Sequence, residues 1–208
     1  MKKNFLTLIV IQAITSLCFA ENIIFKADLM SGKSSGTKEY AKLTGNASII
    51  TSSMEIYADV IELSGENYRF IEATGNVSGT NVKNKIDFTC GQLLYDRETE
   101  IATLQNAVHL IDRENETIAY AEIMDYNQNR STIVMQISVA MQQKDNICTG
   151  SHAIYKTKDR TLFLSGNPQI TKGKDVFRAQ EIELNLDTQD IILDGRVRGS
   201  VEDTKNKQ

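Results

Sequence analysis

Apolar residues alternate with polar ones along much of this chain, in a pattern that predicts β-strands. In IYADVIEL, residues 56–63, the apolar side chains fall at Ile56, Ala58, Ile61 and Leu63. A step of two residues indicates a strand with one buried face. The single step of three in the middle predicts a bulge, which bends the strand and returns its apolar face to the same side.

The same eight-residue frame recurs at nearly constant spacing. Its copies begin 31, 32, 31, 29 and 29 residues apart, at Phe25, Ile56, Phe88, Ala119, Cys148 and Phe177. A second element, typified by LTGNASI at residues 43–49, returns with the same period, and its glycine place falls at 45, 75, 105, 137, 166 and 195. Each unit of about thirty residues is therefore predicted to contain two extended arms.

Strands are predicted from one end of the mature chain to the other. Residues 23–30 form the first strand and residues 31–38 a loop, while residues 133–141 alternate cleanly, with Ile137 inward and Ser138 outward. No segment within the units has the pattern of an ordinary helix. Because a two-strand unit cannot bury its own apolar face, we expect the units to stack around one apolar interior, with uncapped ends that pair head to tail.

The first twenty residues have the pattern of a secretory leader. Lys2 and Lys3 precede an apolar stretch, and Cys18, Phe19 and Ala20 form a small-residue exit. Residues 5–20 are too short for the ~20 apolar residues that a membrane-spanning helix needs. We predict export and cleavage after Ala20, with one domain over residues 21–201 and a disordered tail at 202–208; an uncleaved anchor is the alternative.

The net charge limits which binding partners are expected, and the positions of the cysteines indicate whether they form a disulfide. Loss of Lys2 and Lys3 with the leader would take the formal net charge from −4 to −6. An acidic surface argues against nucleic acid as a partner. Cys90 and Cys148 lie on the apolar face two repeats apart, which favours buried free thiols over a disulfide.

The sequence carries no recognisable catalytic constellation. His109 and His152 lack the spacing of a metal site, and no nucleophile elbow, phosphate loop or dinucleotide fingerprint is present. Asp28, Asp59 and Glu122 share one place in the frame, where we expect a carboxylate to accept hydrogen bonds from a turn backbone. We therefore predict a protein that is not an enzyme and needs no metal or cofactor. A pectin-lyase-like parallel β-helix is the enzymatic alternative.

These repeats resemble the periplasmic LptA/OstA family of lipopolysaccharide-transport proteins. The resemblance rests on a Gly-Asn strand start followed by the I-x-A-D frame, as in Gly45-Asn46-Ala47 before residues 56–63 and Gly75-Asn76-Val77 before residues 88–95. It covers residues 23–201. Some repeats lack the glycine of the strand start or the acidic residue of the frame. Gln105 and Ile137 replace the glycine, and Gly91, Ser151 and Gln180 replace the acidic residue.

The resemblance implies an all-β fold, an open twisted β-jellyroll of about six two-strand repeats, whose two facing sheets enclose an apolar groove. It also implies a periplasmic bridge that carries the acyl chains of lipopolysaccharide, or of a similar glycolipid, from the inner to the outer membrane. The implied partners are LptC-like and LptD-like domains and further copies of the chain, joined end to end. The groove residues are expected to be the inward set, namely Ile23, Phe25, Ala27, Ile56, Ala58, Phe88, Ile133, Met135, Ile137 and Phe177.

Two alternatives to this carrier remain open. An LptC-like component of the same pathway would keep residues 5–20 as an inner-membrane anchor. A structural β-repeat scaffold would have the same repeats around a packed core and carry no lipid.

Overall fold

The computed structural model describes residues 23–33 and 39–202. The predictions for the leader, for cleavage after Ala20 and for residues 34–38 and 203–208 lie outside this range. The described part is all-β, as the sequence predicts. Its strands are β1 (Ile24–Lys26), β2 (Leu29–Lys33), β3 (Tyr40–Ile50), β4 (Met54–Ser64), β5 (Phe70–Asn81), β6 (Ile86–Asp96), β7 (Ile101–Asp112), β8 (Thr117–Asn127), β9 (Thr132–Gln143), β10 (Asn146–Lys156), β11 (Thr161–Ser165), β12 (Gln169–Lys172), β13 (Asp175–Arg178), β14 (Glu181–Asn185), β15 (Ile191–Asp194) and β16 (Arg198–Ser200).

Two details at the start of the chain differ from the prediction. The first strand is divided into β1 and β2, and β2 continues to Lys33 where a loop was expected from Ser31. The division falls at Ala27 and Asp28, the centre of the repeat frame. A single 3-10 turn, Glu66–Tyr68, is the helical element of the described residues. Across residues 23–33 and 39–202, no helix is both long and apolar enough to cross a membrane.

The strands form one antiparallel meander, in which each long strand pairs with the next along the chain. Every long pairing from β3 to β10 contains one register shift near its middle, such as the shift between Thr44 and Ala47 opposite β4. Here the strand bends, and we call the row of these bends the bend line. On one side of it the first half-sheet contains Ile49 and Ile56, and on the other the second half-sheet contains Leu43 and Ile61.

The eight strands β3 to β10 cross the bend line, and the remaining eight are short strands, four in each half-sheet. Each half-sheet therefore has twelve strand segments, two for each of the six predicted units. The two facing sheets of the prediction are in fact two halves of one continuous sheet. This architecture confirms the open, twisted jellyroll built from about six repeats.

The core is a single cluster of apolar side chains enclosed between the two half-sheets. In the first half-sheet one inward row crosses every arm through consecutive cross-strand partners; it runs Phe25, Ile49, Ile56, Gly79, Phe88, Leu110, Ala119, Met141, Cys148, Ile170, Phe177, Gly199. The matching row of the second half-sheet runs Met30, Leu43, Ile61, Ala73, Leu93, Leu104, Met124, Met135, Ala153, Leu164, Ile182, Leu193. Burying each large side chain of these rows stabilises the fold by about 1.5–3 kcal/mol, before the entropy of ordering the chain is subtracted.

Candidate functional site

In every second strand the bend is built from two consecutive residues with positive φ, whereas β4, β6, β8 and β10 cross the bend line without such residues. Gly45 and Asn46 have φ of 77° and 45°, and Gly75 and Asn76 have φ of 76° and 46°. Glycine and asparagine are the residues that adopt this left-handed conformation at least cost. The Gly-Asn pair of the repeat therefore has a local cause: it bends the strand so that both of its arms turn their apolar faces inward.

The acidic place of the frame lies directly beside the bend of the next arm. Asp28 accepts a hydrogen bond of 2.8 Å from the side-chain amide of Asn46, and Asp59 accepts one of 2.9 Å from that of Asn76. A Cβ atom added to Gly75 would collide with the Asp59 carboxylate. The expected carboxylate at the bend is present, but in these two copies its donor is an asparagine side chain, where a turn backbone was expected.

Five of the predicted groove residues are buried in the interior. Ile56 and Phe88 belong to the inward row of the first half-sheet, and Met135 belongs to that of the second. Ile133 is also buried, and Ala58 lies beside the bend line. Strand alternation therefore identified which side of these arms faces inward.

Four others lie at the two ends of the stack. Ile23 and Ala27 are half-buried against the core, and Phe177 is half-buried at the inward-row position next to Gly199. Phe25 occupies the inward row opposite Ile49, yet 44 % of it is exposed because β1 is an edge strand. Phe25 therefore lies on the inward side of its strand, as predicted, but it is only partly buried.

Ile137 was expected to face inward, and this placement is wrong. It is 54 % exposed and has φ of 66°, because the bend of this repeat falls on Ile137 and Ser138. The uninterrupted alternation of residues 133–141 concealed the bend. The third bend is also displaced by one residue from its expected place at Gln105, since Asn106 and Ala107 carry the positive φ values.

The sequence pattern did not predict a row of buried polar side chains on the side opposite the bend line. Asn81, Asp112 and Gln143 end the alternate strands β5, β7 and β9 in the first half-sheet at a spacing of 31 residues, and each is buried. Three asparagines follow at the same spacing, at positions 84, 115 and 146. This second periodicity, of polar residues at inward-facing places, is the signal that would have revealed the row.

These polar side chains join the outer edges of the two half-sheets. Asn81 donates a hydrogen bond of 2.7 Å to Gln128, which lies in a turn of the second half-sheet. The hydroxyl of Tyr155 donates to the Asp112 carboxylate at 2.7 Å and accepts from Asn115 at 2.8 Å. We call this set of contacts between the two rows of turns the seam.

Two further contacts belong to the seam, one toward the C-terminal end and one beside Asn81. Gln189 donates to Gln143 at 3.1 Å and also accepts a hydrogen bond from Asn146. Asn84 donates to the hydroxyl of Tyr126. The apolar interior is therefore closed by hydrogen-bonded side chains along the middle repeats.

Burial dominates the electrostatics of the seam and of the two cysteines. It raises the pKa of Tyr126 to about 12, and together with the neighbouring Asp112 carboxylate it raises the pKa of Tyr155 further. Burial also raises the pKa of Cys90 to about 11 and of Cys148 to about 12. Both cysteines are free and buried, so both stay protonated thiols at neutral pH.

The described residues hold little that is typical of a catalytic or metal centre. Within residues 23–33 and 39–202, no three histidine, cysteine, aspartate or glutamate side chains are grouped so that they could hold a metal ion. His109 stacks on Tyr120 with ring centroids 4.5 Å apart. His152 lies in an outer-face depression with Ile154, Phe163 and acidic side chains. Neither histidine is part of the interior.

Comparison with known proteins adds one finding on structure. No protein-family model matches the chain, and no curated protein sequence matches it. Among solved structures the chain is similar to that of LptH, described as the LptA homologous periplasmic component of the conserved lipopolysaccharide transport device from Pseudomonas aeruginosa, with 11% sequence identity. The match covers 88% of this chain and 96% of that one, with a TM-score of 0.26. The jellyroll architecture described above rests on the strand pairing of this chain itself.

Proposed function

We propose that this protein is a periplasmic lipid carrier that holds the acyl chains of lipopolysaccharide, or of a similar glycolipid, between its two half-sheets. One observation carries the proposal. The two inward rows contain only apolar residues and glycine and run through every arm from β1 and β2 to β15 and β16. Hydrocarbon needs no polar partner and is favoured wherever apolar surface leaves water, so such rows form a continuous path for it.

End-to-end assembly is the second part of the proposal. β1 and β2 form one open edge of the sheet, and β15 and β16 form the other. Both edges expose apolar side chains; the most exposed are Ile24 and Leu29 at one end and Ile192 and Val201 at the other. An open edge offers unpaired backbone groups to another strand, so one copy, or a like domain at either membrane, would extend the sheet and the interior rows together.

A structural scaffold is the second candidate, and one observation favours it. The interior is filled by side chains, among them Leu43, Ile56 and Met135, which have no exposed surface. A carrier must move such side chains aside to accept an acyl chain, whereas a scaffold needs only the packed core. The following experiment separates the two.

A photoreactive phenylalanine analogue is placed at Phe88, which is inward and buried, and in a matched variant at the neighbouring Thr89, which is exposed. The carrier predicts a lipid adduct at position 88 and none at 89 after irradiation of cells. Absence of adducts at both positions, in variants that fold as the unsubstituted protein does, would support the scaffold. Adducts at both positions would indicate adsorption to the outer surface and overturn the interior site.

A further inference from the structure

Among the residues that the structure describes, the hydrogen bonds of the seam lie along the middle repeats. Its three polar steps begin at Asn81, Asp112 and Gln143. One period before Asn81 and Asn84 the chain has Ile50 and Ser53, so the first repeat has no amide at either place. The hydrogen bonds of the seam are therefore an added feature of three repeats, and neither the bend nor strand pairing requires them.

Backbone hydrogen bonds hold each row of turns together, independently of the seam. In the row of the first half-sheet, Arg113 donates its N–H to the carbonyl of Lys85 at 3.1 Å. In the row of the second, Thr157 donates to Ser131 at 2.9 Å and Leu186 donates to Arg160 at 2.8 Å. The row of the second half-sheet is linked in this way at every step from Arg69 to Leu186, and the row of the first half-sheet is linked from Ser53 to Arg113. The two rows meet through side chains, so these side-chain contacts can separate while the backbone links within each row stay intact.

The polar groups of the seam are incompletely paired in the closed state. The amide nitrogen of Gln128 and the amide oxygen of Asn146 have no hydrogen-bond partner within the described residues, although both side chains are more than nine-tenths buried. A buried polar atom without a partner costs about 1–3 kcal/mol. The closed seam is therefore under-satisfied, and a ligand that supplies hydroxyl or carbonyl groups there would relieve that cost.

An amphiphile keeps its polar headgroup in water while its chains are buried. Its chains therefore reach the inward rows either across the seam or through one end of the stack. End-to-end assembly covers both ends, which leaves the seam as the route that stays available in an assembled chain. A shallow cleft of about 260 Å³ lies on the outside of the seam; Asn84, Asn115, Ser131, Thr157, Lys158 and Arg160 contribute to its lining.

We propose that the seam is a lateral gate. The two rows of turns separate to admit acyl chains, and the amide and hydroxyl groups of Asn81, Gln128, Asn115 and Tyr155 exchange their mutual hydrogen bonds for those of a sugar headgroup. This inference rests on the proposed carrier function. It adds the route of entry and the groups that contact the polar part of the lipid.

The test joins the two rows covalently. Glu114 and Lys158, two exposed residues that belong to opposite rows of turns and line the cleft outside the seam, are both replaced by cysteine and linked with a short bis-maleimide whose spacer contains a disulfide. Cys18 is replaced by serine, while Cys90 and Cys148 remain, because burial raises the pKa of both thiols to about 11 or higher and keeps them unreactive. The matched control links Ser53→Cys to Val82→Cys, two neighbouring turns of one row whose backbones are already hydrogen-bonded at 3.0 Å.

The readout is the uptake of rough lipopolysaccharide labelled with a fluorophore on its sugar. We expect crosslinking across the seam to slow uptake at least tenfold, reduction of the spacer to restore it, and the control crosslink to leave it unchanged. Unchanged uptake in the seam-crosslinked protein would overturn the gate and leave the carrier function standing. If neither the reduced nor the unsubstituted protein takes up the probe, the carrier function fails and the gate fails with it.

Discussion

The bend line and the seam both join the two half-sheets, but by different physical means. At the bend line the join is the backbone itself, turned by pairs of positive-φ residues that lie mostly at the surface. At the seam the join is a set of buried side-chain hydrogen bonds between residues forty or more positions apart. A covalent backbone bend is thus placed opposite a closure made of side-chain hydrogen bonds, which is the arrangement that the proposed gate requires.

The largest expected effect distinguishes a seam carboxylate from a bend carboxylate. Asp112 accepts hydrogen bonds from the Tyr155 hydroxyl, the Asn115 side chain and two backbone N–H groups, and 1 % of it is exposed. Asp112→Ala removes these bonds and leaves buried donors unpaired, so we expect the free energy of unfolding in urea to fall by about 3 kcal/mol. Asp59→Ala breaks one exposed bond to Asn76 and should cost less than about 1 kcal/mol. Equal losses of stability in the two variants would contradict this difference between the seam and the bend line.

The seam should also make stability fall at alkaline pH. Burial raises the pKa of Tyr126 to about 12 from an ordinary value of 10.0, so between these pH values the folded protein retains a proton that the unfolded chain releases. The contribution of Tyr126 to the free energy of unfolding is fully present below pH 10, and it falls by on the order of 2 kcal/mol as the pH rises to 12. Urea unfolding at several pH values should show a shallower decline for Tyr126→Phe. An unchanged decline would show that Tyr126 is not the group responsible.

A smaller effect isolates one hydroxyl of the seam. Tyr155→Phe keeps the buried ring and removes the group that bridges Asp112 and Asn115. We expect the free energy of unfolding to fall by about 1.5 kcal/mol, because one bond to a charged acceptor is lost. Phe70→Leu, a change at an exposed outer-face aromatic, is the control and should leave stability within about 0.5 kcal/mol. A stability unchanged by Tyr155→Phe would mean that the seam is held by other contacts.

The smallest effect concerns the bend line and has the opposite sign. Ile137 is a β-branched residue at φ 66°, where other repeats have glycine or asparagine. A left-handed conformation costs such a residue about 1–2 kcal/mol, so Ile137→Asn should raise the free energy of unfolding by about 1 kcal/mol. Ile147, about equally exposed but in a regular part of β10, provides the control, and Ile147→Asn should give no gain. Thermal unfolding of both variants measures the difference, and a gain at both positions would exclude backbone strain as its cause.

Most of the fold could be predicted from the sequence because its signals are local. Alternation set the strands and their buried face, the 29–32-residue period set the number of units, and the Gly-Asn pairs marked bends. The prediction failed where a bend lacks that local signal. Ile137 continues an unbroken alternation, so nothing in its neighbourhood reveals the turn of the chain, and strand pairing on both sides imposes the positive φ.

The candidate site could be predicted only in part. The identities of inward residues such as Ile56 and Met135 followed from strand parity, but the exposure of Phe25 depends on β1 being an edge. The sequence by itself determined an all-β repeat with bent strands and an apolar interior, since those properties arise within single arms. Only the tertiary structure decided that Asn81 meets Gln128 and that Asp112 meets Tyr155. Those contacts exist because the bend brings the far ends of the two half-sheets together, and no local pattern specifies which polar side chains then face each other.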